Sequence, residues 1–234
     1  MIEKILKIVL NEGTLINKRE IANNVYHLTI QSTFIQKLKY TPGQHIRVYV
    51  GEKSNASGKD NIRTYSIWNI ERDLNKIHVA ACCHTSGPGS TWVKTVEIGE
   101  KVFFSNPKGK FIIDDSFTNY YFIGDNSALA HLYEIRRSLK EDKKMTGIIY
   151  SDSLDQLFPD IDKTTPFQFY EFSENPFDTI CNLINIDQNS SSVYYVGGDG
   201  RLCIELNNYL KRKGLSRKSI KAKPFWMPYK KGLE

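Results

Sequence analysis

The sequence predicts two domains, an antiparallel β-barrel followed by an α/β domain with a parallel sheet. Up to about residue 115, short runs rich in Val, Ile, Thr and Tyr are separated by turn sequences, a pattern typical of antiparallel strands. After residue 116 the pattern changes to strand, helix, strand, helix, which is typical of a parallel sheet. The 234 residues are enough for two cores. We therefore expect domains at residues 1–116 and 117–234.

The first domain is expected to contain several short strands and one short helix. The strands are predicted at residues 25–31, 45–50, 63–70, 76–84 and 101–105. The helix is predicted to begin near Gly89, and the turn Pro107-Lys108-Gly109 is expected to close the barrel.

The second domain is expected to alternate strands and helices. Leu129, Leu132, Ile135 and Leu139 recur at helical spacing after the apolar segment 120–123. Further strands are predicted at 147–150, 167–172, 193–196 and 219–225, and further helices at 177–186 and 202–213. This alternation predicts a parallel sheet with helices on both faces.

Composition and charge narrow the class of protein. Lys and Arg total 32 against 26 Asp and Glu, a formal net charge of +6. This modest excess leaves open an anionic small molecule, a nucleic acid, a membrane surface or a plain solvated basic face. The apolar run near the start is interrupted by Glu3, Lys4 and Lys7, and no later run reaches the roughly 18 apolar residues of a membrane span. We expect no membrane insertion and no export signal.

The cysteines and histidines predict neither a disulfide framework nor a metal site. Cys82, Cys83, Cys181 and Cys203 show no Cys-x-x-Cys spacing, so an iron–sulfur cluster is not indicated either. His84 has no second ligand at metal-binding spacing. These features favour a soluble protein of the reducing cytoplasm with no bound metal.

The first candidate functional segment is Arg63-Thr64-Tyr65-Ser66, in a predicted barrel strand. Alternate residues of a strand point to one face, so Arg63 and Tyr65 can act together. A guanidinium suits a pyrophosphate, a tyrosine ring can lie against an isoalloxazine, and Ser66 can meet the flavin N5. The segment is a candidate flavin site, although a barrel edge with a buried tyrosine would show the same pattern.

The second candidate segment is Gly87-Pro88-Gly89-Ser90-Thr91-Trp92. Its glycines let the backbone approach a ligand closely, and the following helix offers free N–H groups to a phosphate. The alternative is a tight turn in which Ser90 caps the helix.

Two more candidate segments follow strands of the predicted parallel sheet. They are Gly124-Asp125-Asn126-Ser127-Ala128 and Gly197-Gly198-Asp199-Gly200. Because an open α/β sheet binds dinucleotides at the carboxyl ends of its strands, both are candidate nucleotide loops, although the first lacks the full glycine-rich fingerprint. Another strand leads into Asp152, and an acidic residue there favours the ribose 2′-hydroxyl of NADH over the 2′-phosphate of NADPH. The alternative is that Asp152 caps the next helix.

In their order along the chain, these segments resemble the siderophore-interacting proteins of the ferredoxin-NADP reductase superfamily. Residues 63–66 correspond to that family's Arg-x-Tyr-Thr motif. His84 and residues 87–92 are similar to its His, Gly-Pro-Ala, Trp segment, and residues 124–129 to its Gly-Asp-Glu-Thr-Ala-Leu motif. Phe225-Trp226, followed by Lys230-Lys231-Gly232, resembles the aromatic-Trp, basic, Gly pattern near the end of that family's sequences. The resemblance covers nearly the whole chain.

The resemblance implies a ferredoxin reductase-like fold, with FAD bound by residues 1–116 and NADH or NADPH bound by residues 117–234. It implies an FAD-dependent oxidoreductase that reduces a ferric siderophore and releases Fe(II) for iron acquisition. Tyr65 and Ser66 are the implied catalytic residues. The basic C-terminal residues, foremost Lys230 and Lys231, are expected to attract the anionic ferric siderophore.

The expected cofactor-binding residues come from the candidate segments and from the C-terminal aromatic pair. They are Arg63, Thr64, Tyr65, Ser66, His84, Gly89, Ser90, Thr91, Trp92, Gly124, Asp125, Asn126, Ser127, Ala128, Gly197, Gly198, Asp199 and Trp226. For Trp226 and Tyr229, covering the flavin or the substrate opening and packing against the domain are both open.

Three positions depart from the family pattern. Trp68 stands where the family usually has a second Arg, Asn126 replaces a Glu, and Ala130 replaces a Pro. The Trp68 change removes a cation from beside the flavin. Lys108 and Lys110 are the candidates to replace that cation.

Two other functions stay open at the level of sequence. A reductase of the same superfamily passes electrons to a ferredoxin, a flavodoxin or an oxygenase, and the lysines would then form a docking patch for such an electron-carrier protein. A nucleic-acid or lipid binder would leave the strand-end loops and the Arg-x-Tyr-Ser segment unexplained. We therefore expect no nucleic-acid partner.

Overall fold

The computed structural model describes residues 10–51, 61–84, 86–172, 176–188 and 191–227. The chain forms two compact units, Met1–Ile112 and Ile113–Glu234, and each has its own sheet. None of the helices in the described ranges has the length and apolar content needed to cross a membrane.

The first unit is an antiparallel sheet accompanied by a short helix. Its described elements are β1 (Asn11–Ala22), β2 (Val25–Gln31), β3 (His45–Tyr49), β4 (Ile62–Ser66), β5 (Asn69–Glu71), β6 (Lys76–Cys82), helix α1 (Pro88–Thr95) and β7 (Lys101–Phe104). The strands lie in the order β4-β3-β7-β1-β2-β6-β5. Helix α1 begins beside Gly89, as predicted.

The sheet curls because its two edge strands are consecutive in the chain. Only Ile67 and Trp68 separate β4, at one edge, from β5, at the other. The Ile67 amide donates to the Gln44 carbonyl next to β3 at 3.3 Å, and the Trp68 amide donates to the His78 carbonyl of β6 at 2.8 Å. These two bonds bring the edges together around an apolar core. The predicted antiparallel barrel is therefore confirmed.

In the first unit, two predicted strands differ from the structure by more than one residue. The predicted strand 63–70 is divided into β4 and β5, because the chain crosses from one sheet edge to the other at Ile67 and Trp68. The predicted strand 76–84 ends at Cys82, which leaves His84 exposed beyond the strand.

Strand β1 was not predicted, although it pairs with both β2 and β7. Its register with β2 shifts between Leu15 and Asn17 and again between Glu20 and Ala22. Such irregularities add a residue to one strand and interrupt the alternation of buried and exposed side chains. The period of two that identifies a strand in a sequence is therefore lost in β1.

The second unit is a parallel sheet with helices. Its described strands are β8 (Asn119–Asp125), β9 (Lys144–Ser151), β10 (Gln168–Glu171), β11 (Ser192–Asp199) and β12 (Ile220–Trp226), and its described helices are α2 (Asn126–Arg137), α3 (Phe177–Leu183) and α4 (Gly200–Arg212). Neighbouring strands are parallel, in the order β10-β9-β8-β11-β12.

Helices cover both faces of the second sheet. Tyr194 and Val196 of β11 pack in a core with Leu206 of α4. The intervening Tyr195 stacks with Phe122, whose ring centroid is 5.5 Å away, on the opposite face, which α2 covers. The predicted parallel sheet with helices on both faces is confirmed.

The strand order creates a topological switch point between β8 and β11. Open α/β sheets bind ligands in the crevice at the carboxyl ends of the strands beside such a point. Gly124 and Gly197, near the carboxyl ends of β8 and β11, are register partners. The two predicted nucleotide loops therefore lie side by side, at the end of the sheet that we call the carboxyl edge; the opposite end is the amino edge.

Candidate functional site

In the first unit, the Arg63–Ser66 segment and the start of α1 come together at Gly89. The Tyr65 hydroxyl donates to the Gly89 carbonyl at 3.2 Å. A Cβ atom added at Gly89 would lie 3.2 Å from Arg63 Cγ and 3.2 Å from the Tyr65 hydroxyl oxygen. Arg63 and Tyr65, which lie on the same face of β4, therefore both approach a backbone that a side chain at position 89 would crowd.

The first turn of α1 has no side-chain cap. Its N-cap residue is Gly87, followed by Pro88 at the first helical position. Ser90 is buried and its hydroxyl contacts the Cys83 thiol. Burial raises the pKa of the Cys83 thiol to about 11, and Lys94 and the Ser90 hydroxyl partly oppose this increase. The N-cap position itself is therefore taken by Gly87 and not by Ser90.

Tyr65 is held as a neutral phenol between α1 and the barrel core. Its ring centroid lies 5.7 Å from that of Trp92, at an angle of 40°. Burial raises the pKa of Tyr65 well above its ordinary value, and the nearby Cys83 adds to this effect. The Tyr65 hydroxyl is therefore protonated at neutral pH and donates a hydrogen bond to the Gly89 carbonyl.

The Trp68 side chain is buried in the barrel. It is 2% exposed, and its ring lies edge-on to His27 with centroids 5.1 Å apart. Trp68 thus fills an interior position of the barrel.

Lys108 lies in the same row of the sheet as Ser66. His45 is the register partner of Ser66 on one side and of Lys108 on the other, with reciprocal backbone hydrogen bonds of 2.9 Å between His45 and Lys108. Gly109 fixes this turn, because its φ is +122° and a Cβ atom there would lie 2.8 Å from His45 Nδ1. Lys110 is exposed beyond the turn.

In the second unit, the two loops at the carboxyl edge begin two helices with carboxylate caps. Asp125 caps α2 by accepting from the Ser127 amide at 2.9 Å. Asp199 caps α4 by accepting from the Arg201 amide at 2.9 Å, and it also holds the Arg201 guanidinium at 2.9 Å. The two caps favour helix starts at Asn126 and Gly200, and the second of these is two residues before the predicted start at residue 202.

The Asp125 carboxylate connects these loops to the last strand. It is 4% exposed, and its Oδ2 atom accepts from the Asp199 amide at 2.7 Å and from the Trp226 indole N–H at 2.8 Å. Burial raises the pKa of Asp125, while the hydrogen bonds from Ser127, Trp226 and Asp199 act to lower it. Asp125 therefore links β8, β11 and β12 at the carboxyl edge.

The glycines of the second loop are explained by contacts within the chain. A Cβ atom at Gly197 would lie 2.9 Å from the Phe225 ring and 3.1 Å from the Ala128 Cβ. Gly198 has a φ of +117°, and a Cβ atom there would overlap the Asp125 carboxylate. The sequence predicts both glycines as cofactor-binding residues, and the packing of the loop also requires glycine at these two positions.

The Trp226 side chain is hydrogen-bonded at its indole N–H and partly exposed elsewhere. Its indole N–H is bonded to Asp125, yet 42% of the residue is exposed. The indole N–H is therefore held within the second unit. Tyr229, Lys230 and Lys231 lie outside the described residues.

Three further predicted site residues, Thr64, Ser66 and Asn126, pair with neighbouring residues of their own unit. Thr64 and Ser66 lie in β4 opposite Arg47 and His45 of β3. Asn126 donates to the Gln156 side-chain oxygen at 3.3 Å.

Most of the described basic C-terminal residues lie at the amino edge. Helix α4 begins at the carboxyl edge and ends at Arg212, so Lys211 and Lys213 are at the other end of the sheet. Arg217 and Lys218 immediately precede β12 and are also at the amino edge. These exposed cations therefore do not lie beside the nucleotide loops.

Comparison with known proteins finds a similarity in the first unit. Residues 12–113 match the family model of the oxidoreductase FAD-binding domain. The electron transfer subunit of dihydroorotate dehydrogenase B (NAD(+)) from Bacillus cereus strain Q1 is 27% identical over 127 residues, which is 53% of this chain and 47% of that protein. The chain thus spans about half the length of this curated relative.

Solved structures share the fold over most of the chain. The siderophore-interacting protein SipS from Aeromonas hydrophila has a TM-score of 0.74 and 17% identity, over 94% of this chain and 99% of that one. Phthalate dioxygenase reductase has a TM-score of 0.73 and 14% identity, over 92% of this chain and 68% of that one. The resemblance is confirmed at the level of fold: the chain has the ferredoxin reductase-like fold that these proteins share, and the match of residues 12–113 to the FAD-binding domain supports FAD as the cofactor.

Proposed function

We propose that the chain is an NAD(P)H-dependent FAD oxidoreductase that reduces ferric siderophores and releases Fe(II), in the cytoplasm. The observation that carries this proposal is the similarity to SipS over nearly all of both chains. In the overall reaction one NAD(P)H supplies two electrons to two ferric siderophores, which gives two Fe(II), the free siderophores, NAD(P)+ and a proton. When bound, FAD accepts the electron pair as a hydride and passes the electrons on one at a time.

Residues of the first unit would hold the flavin. In this proposal Arg63 and the uncapped first turn of α1 bind the pyrophosphate, Tyr65 lies against the isoalloxazine, and Ser66 meets N5. The close approach of Arg63 and Tyr65 to Gly89 supports this, because it leaves the backbone at the start of α1 without a side chain at that position. We assign the missing second cation to Lys108, which shares a row of the sheet with Ser66.

For its reduction, the ferric siderophore has only to reach the flavin and to be attracted by positive charges of the protein. Siderophores hold Fe(III) with hard, usually anionic oxygen donors that bind Fe(II) less tightly, so that one electron loosens the complex. The protein need not coordinate the iron itself.

Fe(II) production tests the proposal directly. FAD-loaded protein is mixed anaerobically with NADH or NADPH and with ferric chelates of several classes, and Fe(II) is trapped by a ferrous-specific chelator. We expect nucleotide-dependent bleaching of the flavin, reoxidation by a ferric siderophore, and two Fe(II) trapped for each nucleotide oxidised. Reduced flavin that no ferric siderophore reoxidises would contradict the proposal.

A second candidate function is electron transfer to a protein. It is favoured by the similarity to the electron transfer subunit of dihydroorotate dehydrogenase B. The same assay separates the two functions, because reoxidation by an added ferredoxin, flavodoxin or partner flavoprotein, and not by ferric chelates, would favour this alternative.

We propose that the second unit binds the nicotinamide nucleotide at its carboxyl edge and prefers NADH. Asp152 follows β9, is exposed, and makes no hydrogen bond to another described residue. The next 3₁₀ turn, Leu154–Gln156, is instead capped by the Glu171 carboxylate, which accepts from the Leu154 amide at 3.1 Å. The Asp152 carboxylate is thus available to a ribose 2′-hydroxyl and would repel a 2′-phosphate.

For Asp152→Ser we expect the ratio of kcat/KM for NADH to that for NADPH to fall by about tenfold, since a repulsive charge near the 2′-phosphate is removed. Asp142→Ser, at an exposed position of the same unit, should leave the ratio unchanged. A wild-type kcat/KM several times higher with NADPH than with NADH would contradict the preference.

We also propose that Lys230 and Lys231 attract the anionic ferric siderophore. Exposed charges are screened over about 10 Å at 0.1 M salt, so the KM of the wild type for an anionic ferric siderophore should rise with ionic strength. The rise should be smaller in Lys230→Ala/Lys231→Ala, while flavin reduction by the nucleotide stays nearly the same.

A matched control removes two lysines from the amino edge. Lys211→Ala/Lys213→Ala makes the same change in net charge and should keep the salt dependence of the wild type. If both double variants behave alike, the role of Lys230 and Lys231 is excluded, and the cations must be sought at Lys108, Lys110 or Arg201.

A further inference from the structure

One buried carboxylate, that of Asp125, holds together three segments of the second unit. Its donors are the Ser127 amide and hydroxyl, the Asp199 amide at 2.7 Å and the Trp226 indole N–H at 2.8 Å. They belong to the first turn of α2, to the connection between β11 and α4, and to the end of β12.

The hydrogen-bond acceptor sites of the Asp125 carboxylate are occupied by donors of this chain. An ionised carboxylate has about four acceptor sites, and four donors of the chain reach Asp125. Its 4% exposure leaves little of it open to a ligand. Asp125 therefore does not fit the role of a residue that contacts the nucleotide itself, which the sequence suggested.

The loop from β11 to α4 is shaped around Asp125. Gly198 adopts a φ of +117°, and its missing side chain leaves the space that the Asp125 carboxylate occupies. The next amide, that of Asp199, donates to Asp125. The Asp199 carboxylate in turn caps α4 and holds the Arg201 guanidinium. A change at Asp125 would therefore reach the first turn of α4 through Asp199.

The same carboxylate fixes the orientation of Trp226. The two residues are 101 positions apart in the chain, and their hydrogen bond leaves part of the indole exposed at the carboxyl edge. An exposed aromatic side chain is ordinarily mobile, and a buried anionic acceptor restricts it to one orientation.

We propose that Asp125 is a positioning residue for the nicotinamide nucleotide: it holds Trp226 and the start of α4 in the arrangement that nucleotide binding requires. This inference rests on the proposed NAD(P)H-dependent function. Its distinguishing consequence is that Asp125 affects nucleotide affinity through Trp226 and Asp199, and not by contact with the nucleotide.

The test uses the FAD-loaded full chain with Asp125→Asn. The asparagine amide has an NH2 group in place of one carboxylate oxygen. This donor then faces some of the N–H and O–H groups that hydrogen-bond to Asp125 in the wild type. The chain has three tryptophans, so a ¹H–¹⁵N spectrum has three indole signals, and the one absent in Trp226→Phe belongs to Trp226. In Asp125→Asn this signal should move upfield and exchange faster with solvent. The KM for the nucleotide should rise about tenfold, as expected when a hydrogen bond to a charged group is lost, with kcat changed less than twofold.

A matched control is available at the amino edge. The Asp187 carboxylate accepts from Asn119 at 3.2 Å and from Ser192 at 2.6 Å, which are the first residues of β8 and β11. Asp187→Asn thus disturbs the same two strands at their other ends. It should leave both the Trp226 indole signal and the nucleotide KM as in the wild type.

The possible results distinguish failure of this inference from failure of the proposed function. A wild-type KM or an unmoved indole signal in Asp125→Asn would overturn the inference, and so would an equal rise of KM in Asp187→Asn. If Asp125→Asn does not fold, Trp226→Phe decides, because it removes the indole N–H donor and keeps an aromatic ring: a KM raised several-fold supports the inference and an unchanged KM overturns it. If the wild type oxidises neither NADH nor NADPH, the proposed function fails, and the indole signal still reports whether Asp125 holds Trp226.

Discussion

Arg63→Ala should lose FAD during gel filtration, whereas the wild type keeps it. The Arg63 side chain lies against the start of α1, where its Cδ atom would be 3.5 Å from a Cβ atom added at Gly89. Hydrogen bonds to charged groups contribute about 1.5 to 3 kcal/mol each, and about 1.4 kcal/mol is a tenfold change in Kd. Loss of a two-pronged contact with the pyrophosphate should therefore raise the Kd for FAD about 100-fold.

Lys101→Ala is the matched control for Arg63→Ala. Lys101 is an exposed cation of the same unit, paired with Glu12 at 2.9 Å, and its loss changes the net charge equally without touching α1. FAD titration of the two apoproteins, followed by flavin fluorescence, gives both Kd values. Equal Kd values for Arg63→Ala and the wild type would exclude Arg63 from the pyrophosphate site.

Elements that carry their own local pattern could be predicted from the sequence. Strand β2 has the predicted bounds, because it is paired on both sides along its whole length and keeps a regular register with β6. Helix α1 follows from the Gly-Pro-Gly sequence that begins it. The loops at the carboxyl edge of the second sheet could be located because buried parallel strands appear as apolar runs with clear ends.

Features that depend on distant contacts could not be predicted. The division between β4 and β5 follows from Ile67 bonding to one edge of the sheet and Trp68 to the other, which no local pattern reveals. The role of Asp125 depends on Trp226, 101 positions away. The Gly197-Gly198 pair was a visible signal, but a glycine that admits a ligand and one that admits a neighbouring carboxylate look the same in a sequence.

A buried ion cluster in the second unit was also missed, and it leads to the largest expected effect on stability. The Asp160 side chain is fully buried and is bonded to Arg137, which also binds Glu134 of the same helix, α2. Removing one partner of a buried ion pair costs about 3 to 5 kcal/mol, because it leaves the other charge uncompensated. Since Arg137 keeps Glu134, Asp160→Ala should lower the free energy of unfolding by about 3 kcal/mol. Urea unfolding followed by circular dichroism measures this change.

Two variants separate the charge of Asp160 from its other contacts. Asp160 also accepts from the Ile161 amide at 2.7 Å, and Asp160→Asn can keep that bond while it removes the charge. If the ion pair dominates, Asp160→Asn should lose most of what Asp160→Ala loses. Asp142→Ala, which removes an exposed carboxylate of the same unit, should change the free energy of unfolding by no more than about 0.5 kcal/mol. A loss as small as this for Asp160→Ala would mean that the loop after β9 does not depend on the ion pair with α2, because solvent or Glu134 then satisfies Arg137 at no cost.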